Sequence, residues 1–275
     1  VKFDMSRAWN DATALLAGNS RTVAVIAGVF FFLPYVLLSL MAPQQSESSA
    51  LAAGTADPDA VMQAALAVYA EIWWLMILLV LLQAVGTLAI YALLTHRERP
   101  TVGDAIGFGF RGLLPFIGVM LLQALVLALA LALPMGLAAG SGSPVAVALV
   151  GLLVLVGAAY LYTKFSLTVA VLGIERQSNP VAVLRRSWSL TKGNSVRLWA
   201  FYVLLVIAFI VVSAVVSILA GIVFGLAGAE VALFGNALVS GIMNALFVTV
   251  LLAVIAAAYR QLSGGGVDAM RETFE

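Results

Sequence analysis

The sequence predicts an all-α integral membrane protein: six transmembrane helices arranged as three hairpin repeats, each preceded by a short amphipathic helix on the inner surface. Three observations carry this. The chain has 275 residues, of which 63% are hydrophobic and 10% charged, against about 25% charged in a soluble domain. It contains six apolar runs, each able to supply the roughly twenty helical residues that cross a bilayer. All fourteen lysines and arginines can be placed on one side of that bilayer. The net charge of +1 says little, because the charges are segregated by side.

The first span is read from Thr22 to Met41 and the second from Ile72 to Thr95. Leu113 to Ala138 and Val145 to about Val171 supply the third and fourth, Val196 to Leu226 and Val231 to Ala258 the fifth and sixth. The runs are long, unalternating and rich in Leu and Ala, which points to helices rather than barrel strands. Several exceed the minimum, so tilt or extension beyond the bilayer is expected. Polar residues precede the first span and no small-residue cleavage site follows it, so it is expected to be retained.

The connections alternate in charge. Lys2, Arg7 and Arg21 precede the first span, and Arg97, Arg99 and Arg111 fill the second connection. Arg176, Arg185, Arg186, Lys192 and Arg197 fill the fourth, with Lys164 on its near side. Arg260 and Arg271 are in the tail, and the first, third and fifth connections have no basic residue. By the positive-inside rule both termini are expected in the cytoplasm. The first outer connection, 42–70, is the long one. Asp57 suits an N-cap and Pro58 a first helical position, so the second helix is expected to start above the membrane and enter near Trp73 and Trp74. The other outer links, at Ser141-Gly142-Ser143 and Gly228-Ala229-Glu230, are short and force hairpins.

The inner segments share a pattern: a short amphipathic stretch, a glycine, a basic residue, then a span. The first ends Gly18-Asn19-Ser20-Arg21 and the third Gly193-Asn194-Ser195-Val196-Arg197, while the middle copy, Thr101 to Arg111 with Gly112, is weaker. Trp9, Ala12 and Leu16, then Val102, Ile106 and Phe110, then Val181, Leu184 and Trp188 fit helical faces. Asn179-Pro180 and Gly193 mark the start and stop of the last. This divides the chain into units of about 1–95, 96–173 and 174–260, with 261–275 as a cytoplasmic tail. The simpler alternative is that any inner loop becomes amphipathic and basic. Such helices would lie at headgroup level with their basic faces toward anionic lipid.

Chemistry-bearing residues are few. There is no cysteine, so no disulfide, thiolate metal site or thiol nucleophile. His96 is the one histidine, beside Arg97 and Arg99, without the orienting partner that acid–base catalysis needs. No metal, nucleophile or phosphate-loop motif appears, and no cofactor or nucleic-acid partner is expected. The glycine pair Gly221 and Gly225 is read as a close-packing face. Lys164 lies well before Glu175 and Arg176. It either snorkels at the end of its span, with Phe165 to Ile174 along the surface or in a packed inner layer, or pairs with a lipid phosphate or Glu175. Gln83, Gln123 and Asn244 are intramembrane polar positions, joined by Ser213, Ser217, Asn236 and Ser240. They could line a transport path or hydrogen-bond between helices, but no carboxylate falls at mid-span.

The stretch from Tyr160 to Leu204 carries a resemblance. It reads Tyr160-Leu-Tyr-Thr-Lys164-Phe-Ser-Leu, then Glu175, then Ala182-Val-Leu-Arg-Arg-Ser187-Trp188-Ser-Leu190-Thr-Lys192-Gly193. This resembles the membrane domain of glycerophosphoryl diester phosphodiesterases and the YciC-like inner-membrane proteins, which carry a basic-Phe-Ser motif followed by a Ser-Trp-containing surface segment. Val-Ala-Val stands where a proline is common after the motif, and Val183 interrupts the alanine-leucine pair. The resemblance implies a membrane domain without the soluble catalytic barrel. The expected role is a non-enzymatic bacterial inner-membrane protein of the envelope. Its basic face would engage anionic lipids, or a protein partner, through Lys164, Arg185, Arg186, Trp188, Lys192 and Arg197. The alternative is a transporter or permease for a small or lipid-like solute.

Overall fold

A computed structural model describes residues 2–41, 58–95 and 101–264. Among them there is no strand. In chain order the helices are α1 Met5–Ala27, a π-helical turn Gly28–Phe32, α2 Leu33–Met41, α3 Pro58–Thr95 and α4 Val102–Gly140. Then come α5 Pro144–Phe165, α6 Thr168–Glu175, α7 Pro180–Thr191, α8 Ser195–Gly225 and α9 Ala229–Leu262. Six segments are long and apolar enough to cross a membrane: Met5–Leu40, Ala70–Leu94, Val102–Gly140, Pro144–Glu175, Ser195–Gly225 and Ala229–Leu262. The chain is a multi-pass membrane protein by that architecture. The first outer connection up to Asp57, His96 with Arg97 and Arg99, and the tail with Arg271 lie outside the described residues.

Local chemistry sets the helix ends. Asp4 accepts from the Arg7 amide to open α1, and Ser143 accepts from Ala146 N with Pro144 in the first turn of α5. Thr101 and Asp104 form a reciprocal capping box on α4. Asn179 accepts from the amides of Val181 and Ala182, with Pro180 following, and Gly193 takes φ +81° just after α7. That is the start and stop anticipated for this segment. α3 does begin at Pro58, and Trp73 and Trp74 on it are exposed.

The three amphipathic segments take three different forms. Only the third is a free-standing helix, α7. The first is continuous with its span, interrupted at Asn19 (φ −130°, ψ 16°). The second runs through Gly112 into α4 without a break. In each, one face packs on the bundle and part of the apolar face stays outward. Ala8 and Ala12, Ala105 and Gly109, Val183 and Ser187 face the core, while Trp9, Phe110, Val181 and Trp188 are exposed. Small side chains predominate on the inward faces, where neighbouring helices approach closely, although Leu184 is buried as well. In the first pair of spans, α1 and the π-helical turn pack on α3, while α2 lies chiefly against α9.

The core sits at the end of the bundle that carries the basic residues, called here the basic end. Leu88, Ala89, Ile90 and Tyr91 of α3, Ala170 and Val171 of α6, and Ala256, Ala257 and Ala258 of α9 are fully buried. α5 buries only Thr163, Lys164 and Phe165, and α8 only Leu198, Phe201 and Tyr202. The rest of α5 and α8 presents Leu, Val and Ile outward, as a lipid-facing surface does.

Glycines mark the close approaches, but not the expected ones. A Cβ at Gly109 would lie 2.5 Å from the Val85 carbonyl oxygen, and one at Gly86 2.5 Å from Phe30 Cβ. At Gly221 and Gly225 a Cβ would meet nothing within 4 Å, so that pair is not a packing face. Gly109→Ala should therefore lower stability by about 1–3 kcal/mol through overpacking. Gly221→Ala should leave stability unchanged or raise it by up to about 1 kcal/mol through helix propensity. Thermal unfolding in detergent separates the two; equal losses would contradict this packing.

Candidate functional site

The basic end is organised by a break in one span. α5 stops at Phe165 and α6 restarts at Thr168, so the carbonyls at the end of α5 lose their helical partners. In an apolar setting each needs another donor. Hydroxyls supply them. Ser166 Oγ donates to Thr163 O (2.9 Å), Ser187 Oγ to Lys164 O (2.8 Å) and Thr168 Oγ1 to Phe165 O (2.6 Å). The Ser187 bond docks α7 onto the break. α6 then packs inward with Thr168, Ala170, Val171, Leu172 and Gly173 buried, which is the packed inner layer anticipated for this stretch.

Lys164 does not snorkel. It is 3% exposed, and its ammonium lies 5.4 Å from the Tyr160 ring centre and 5.2 Å from that of Trp188. Aromatic faces attract a cation at such distances. Trp188 in turn stands edge-on to Tyr160 (5.9 Å) and tilted over Phe165 (5.7 Å). Lys164 does not pair with Glu175 either. One oxygen of Glu175 accepts from Arg186 Nε (2.8 Å) and from Tyr259 OH (2.7 Å), tying α6 to α7 and α9. The Glu175 hydrogen bond holds the Arg186 guanidinium above its ordinary pKa.

The two adjacent arginines therefore differ. Arg186 is engaged in the bundle, whereas Arg185 is exposed and makes no ion pair among the described residues. Lys192 and Arg197, before and after the chain's turn into α8, are exposed. That turn is fixed from a distance: Asn194 Oδ1 accepts from the Phe3 amide (2.9 Å), and Gln261 Oε1 accepts from the Asp4 amide (2.9 Å). The repeated Gly-Asn-Ser sequence pointed to this junction, though nothing in it named Phe3 as the partner.

Two grooves flank the Tyr160–Trp188 pair. One, of about 410 Å³, lies between α4 and α7 and is lined by Leu122, Val126, Phe165, Val181, Leu184, Arg185 and Trp188. The other, of about 380 Å³, lies between α5 and the start of α8, with Tyr160, Thr163, Val196 and Trp199 among its walls. A smaller cavity of about 170 Å³ is more polar and includes Gln123, Tyr162, Ser166, Thr168 and Tyr202.

The three intramembrane amides do not converge on one path. The Gln123 side-chain amide lies 3.0 Å from Thr168 Oγ1, beside that small cavity. Asn244 Nδ2 donates to Phe31 O (3.3 Å) in the π-helical turn. Gln83 is half-buried on α3, and none of these three cavities is lined by two of the amides or by Lys164. Among the described residues no group of His, Asp and Glu could hold a metal ion. Comparison with family models, curated proteins and solved structures gives no match.

Arg186→Gln should destabilise the protein by about 1 kcal/mol, allowing for solvent screening of a half-exposed guanidinium. Tyr259→Phe should cost a similar amount by removing one charge-assisted bond. Arg185→Gln should be neutral within about 0.5 kcal/mol. Melting of the three variants side by side checks the assignment; a loss at Arg185 equal to that at Arg186 would refute it.

Proposed function

We propose that this is a non-catalytic protein of the bacterial cytoplasmic membrane, with both termini in the cytoplasm, whose basic end holds the headgroups of anionic lipids. The supporting observation is a band of exposed cations among exposed aromatics. Arg185, Lys192 and Arg197 are exposed, as are Tyr160, Trp188 and Trp199 in the same stretch of chain, and Arg185 and Trp188 line one groove. Aromatic rings with an apolar body and a polar edge favour the headgroup level, and cations near an anionic surface add about 1 kcal/mol of attraction each. On this reading, the likeness of Tyr160 to Leu204 to phosphodiesterase membrane domains concerns the membrane part alone.

A second reading, a permease for a small or lipid-like solute, draws support from the broken α5–α6 span, since discontinuous helices line many transport sites. Its polar cavity is only about 170 Å³ and belongs to the basic end. The lipid reading is the better supported of the two.

Orientation is directly testable, because the chain has no cysteine. Single cysteines at Ser48 and Ser141 should react with an impermeant thiol reagent added to intact cells, and cysteines at Ser178 and Ser263 should not. The reverse pattern would sink the proposal. In vesicles of mixed lipid, replacing Arg185, Lys192 and Arg197 with glutamine should reduce the local enrichment of phosphatidylglycerol over phosphatidylcholine several-fold. Unchanged enrichment would count against the lipid role. Metal-dependent hydrolysis of glycerophosphodiesters by the purified chain, lost in His96→Ala, would overturn the non-catalytic assignment.

A further inference from the structure

The groove between α4 and α7 has one cationic wall residue in otherwise apolar surroundings. Leu122 and Val126 come from α4, Phe165 from the end of α5, and Val181, Leu184, Arg185 and Trp188 from α7. Its volume of about 410 Å³ falls within the roughly 300–1,000 Å³ of small-molecule sites.

The groove has a direction. Pro180 Cγ lies 3.3 Å from where a Cβ on Gly118 would be, so the start of α7 meets α4 at that glycine. Leu122 and Val126 are one and two turns further along α4, about 6 and 12 Å at 1.5 Å per residue. They lie toward the end remote from the basic face. Arg185 gives the groove one charged point, and Leu122 and Val126 give it an aliphatic wall along the span. A lipid has the same polarity.

The cation is also available. Arg186 is held by Glu175, while Arg185 makes no ion pair among the described residues. Lys164 lies behind the wall, its ammonium 5.2 Å from the centre of the Trp188 ring. It adds positive charge near the groove, and no carboxylate lines it. A peptide would bring backbone amides against walls that offer almost no hydrogen-bond partner, which is costly in an apolar site. A phosphate on an aliphatic chain has no such cost: arginine presents a planar fork of donors to its oxygens.

We propose that this groove binds one anionic glycerophospholipid, with an acyl chain along Leu122, Val126 and Leu184 and the phosphate on Arg185. The inference rests on the lipid-binding reading above and narrows it to a single, saturable site.

The test is native mass spectrometry of the purified full chain with added phosphatidylglycerol, phosphatidylcholine or oleate. Wild-type protein should retain one phosphatidylglycerol through activation that strips the others. Arg185→Gln should weaken retention about ten-fold or more, as loss of a charge-assisted contact does. Val126→Trp, or Leu122→Trp should the first fail to fold, should abolish it by filling the groove. Lys192→Gln, outside the groove, should leave it intact. Equal retention of phosphatidylcholine would overturn the preference for an anionic headgroup, and equal retention of oleate the phosphate assignment. Phosphatidylglycerol retained alike by Arg185→Gln and a folded groove-filling variant would overturn the site, while persisting enrichment in vesicles would leave the broader reading standing. Loss of that enrichment in the wild type as well would bring down both.

Discussion

Close approach of helices at small residues is the constraint on which the rest of this protein depends. Lipid tails are as apolar as leucine, so burial of leucine gives little reason for one membrane helix to prefer another. Contact has to come from packing. Here it comes where Gly109 meets the Val85 carbonyl, Gly86 meets Phe30, Gly173 meets Tyr91 and Gly241 meets Val36. Alanines at Ala256, Ala257 and Ala258 serve α9 in the same way. All but the Gly241 contact involve the buried inner part of the bundle, and the core forms there. Away from it α5 and α8 present large aliphatic side chains outward, and no comparable set of small residues draws them together.

That tight end tolerates irregular backbone because side chains supply the missing donors. At the α5–α6 break, three hydroxyls cover three successive carbonyls, at Thr163, Lys164 and Phe165. At the π-helical turn, Asn244 covers Phe31 O from the facing helix. The polar residues within spans thus have a structural use at several positions. Tyr91 and Tyr202 join the same layer, the latter donating to Ser166 Oγ at 3.3 Å.

The electrostatic character of the basic end follows from how few of its cations are spent on the fold. Arg186 is bound to Glu175, and Lys164 is enclosed by two rings. Arg185, Lys192 and Arg197 remain exposed, and Arg185 lines an apolar groove. A cation beside a groove with aliphatic walls is a different object from the same cation in open water. Its surroundings favour a ligand that is anionic at one end and apolar along its length.

Hydropathy and charge determined the six helices and the placement of all described basic residues toward one end, because both depend on residue type and spacing alone. The caps at Asn179-Pro180 and Gly193 were legible for the same local reason. The different forms of the three amphipathic segments were not. Gly18-Asn19-Ser20 and Gly193-Asn194-Ser195 read alike, and both leave the helix at their asparagine, but Asn19 donates to Leu15 one turn back whereas Asn194 accepts from Phe3, distant in sequence. Helical periodicity placed Trp9 and Trp188 on the apolar faces of these segments, but which small residues, Ala8 and Ser187 among them, pack on the bundle was decided by tertiary contact. The glycine pair in α8 and the near-equivalence of Arg185 and Arg186 failed for one physical reason. Which of two similar residues has a neighbour depends on a helix distant in sequence, and only the assembled bundle decides it.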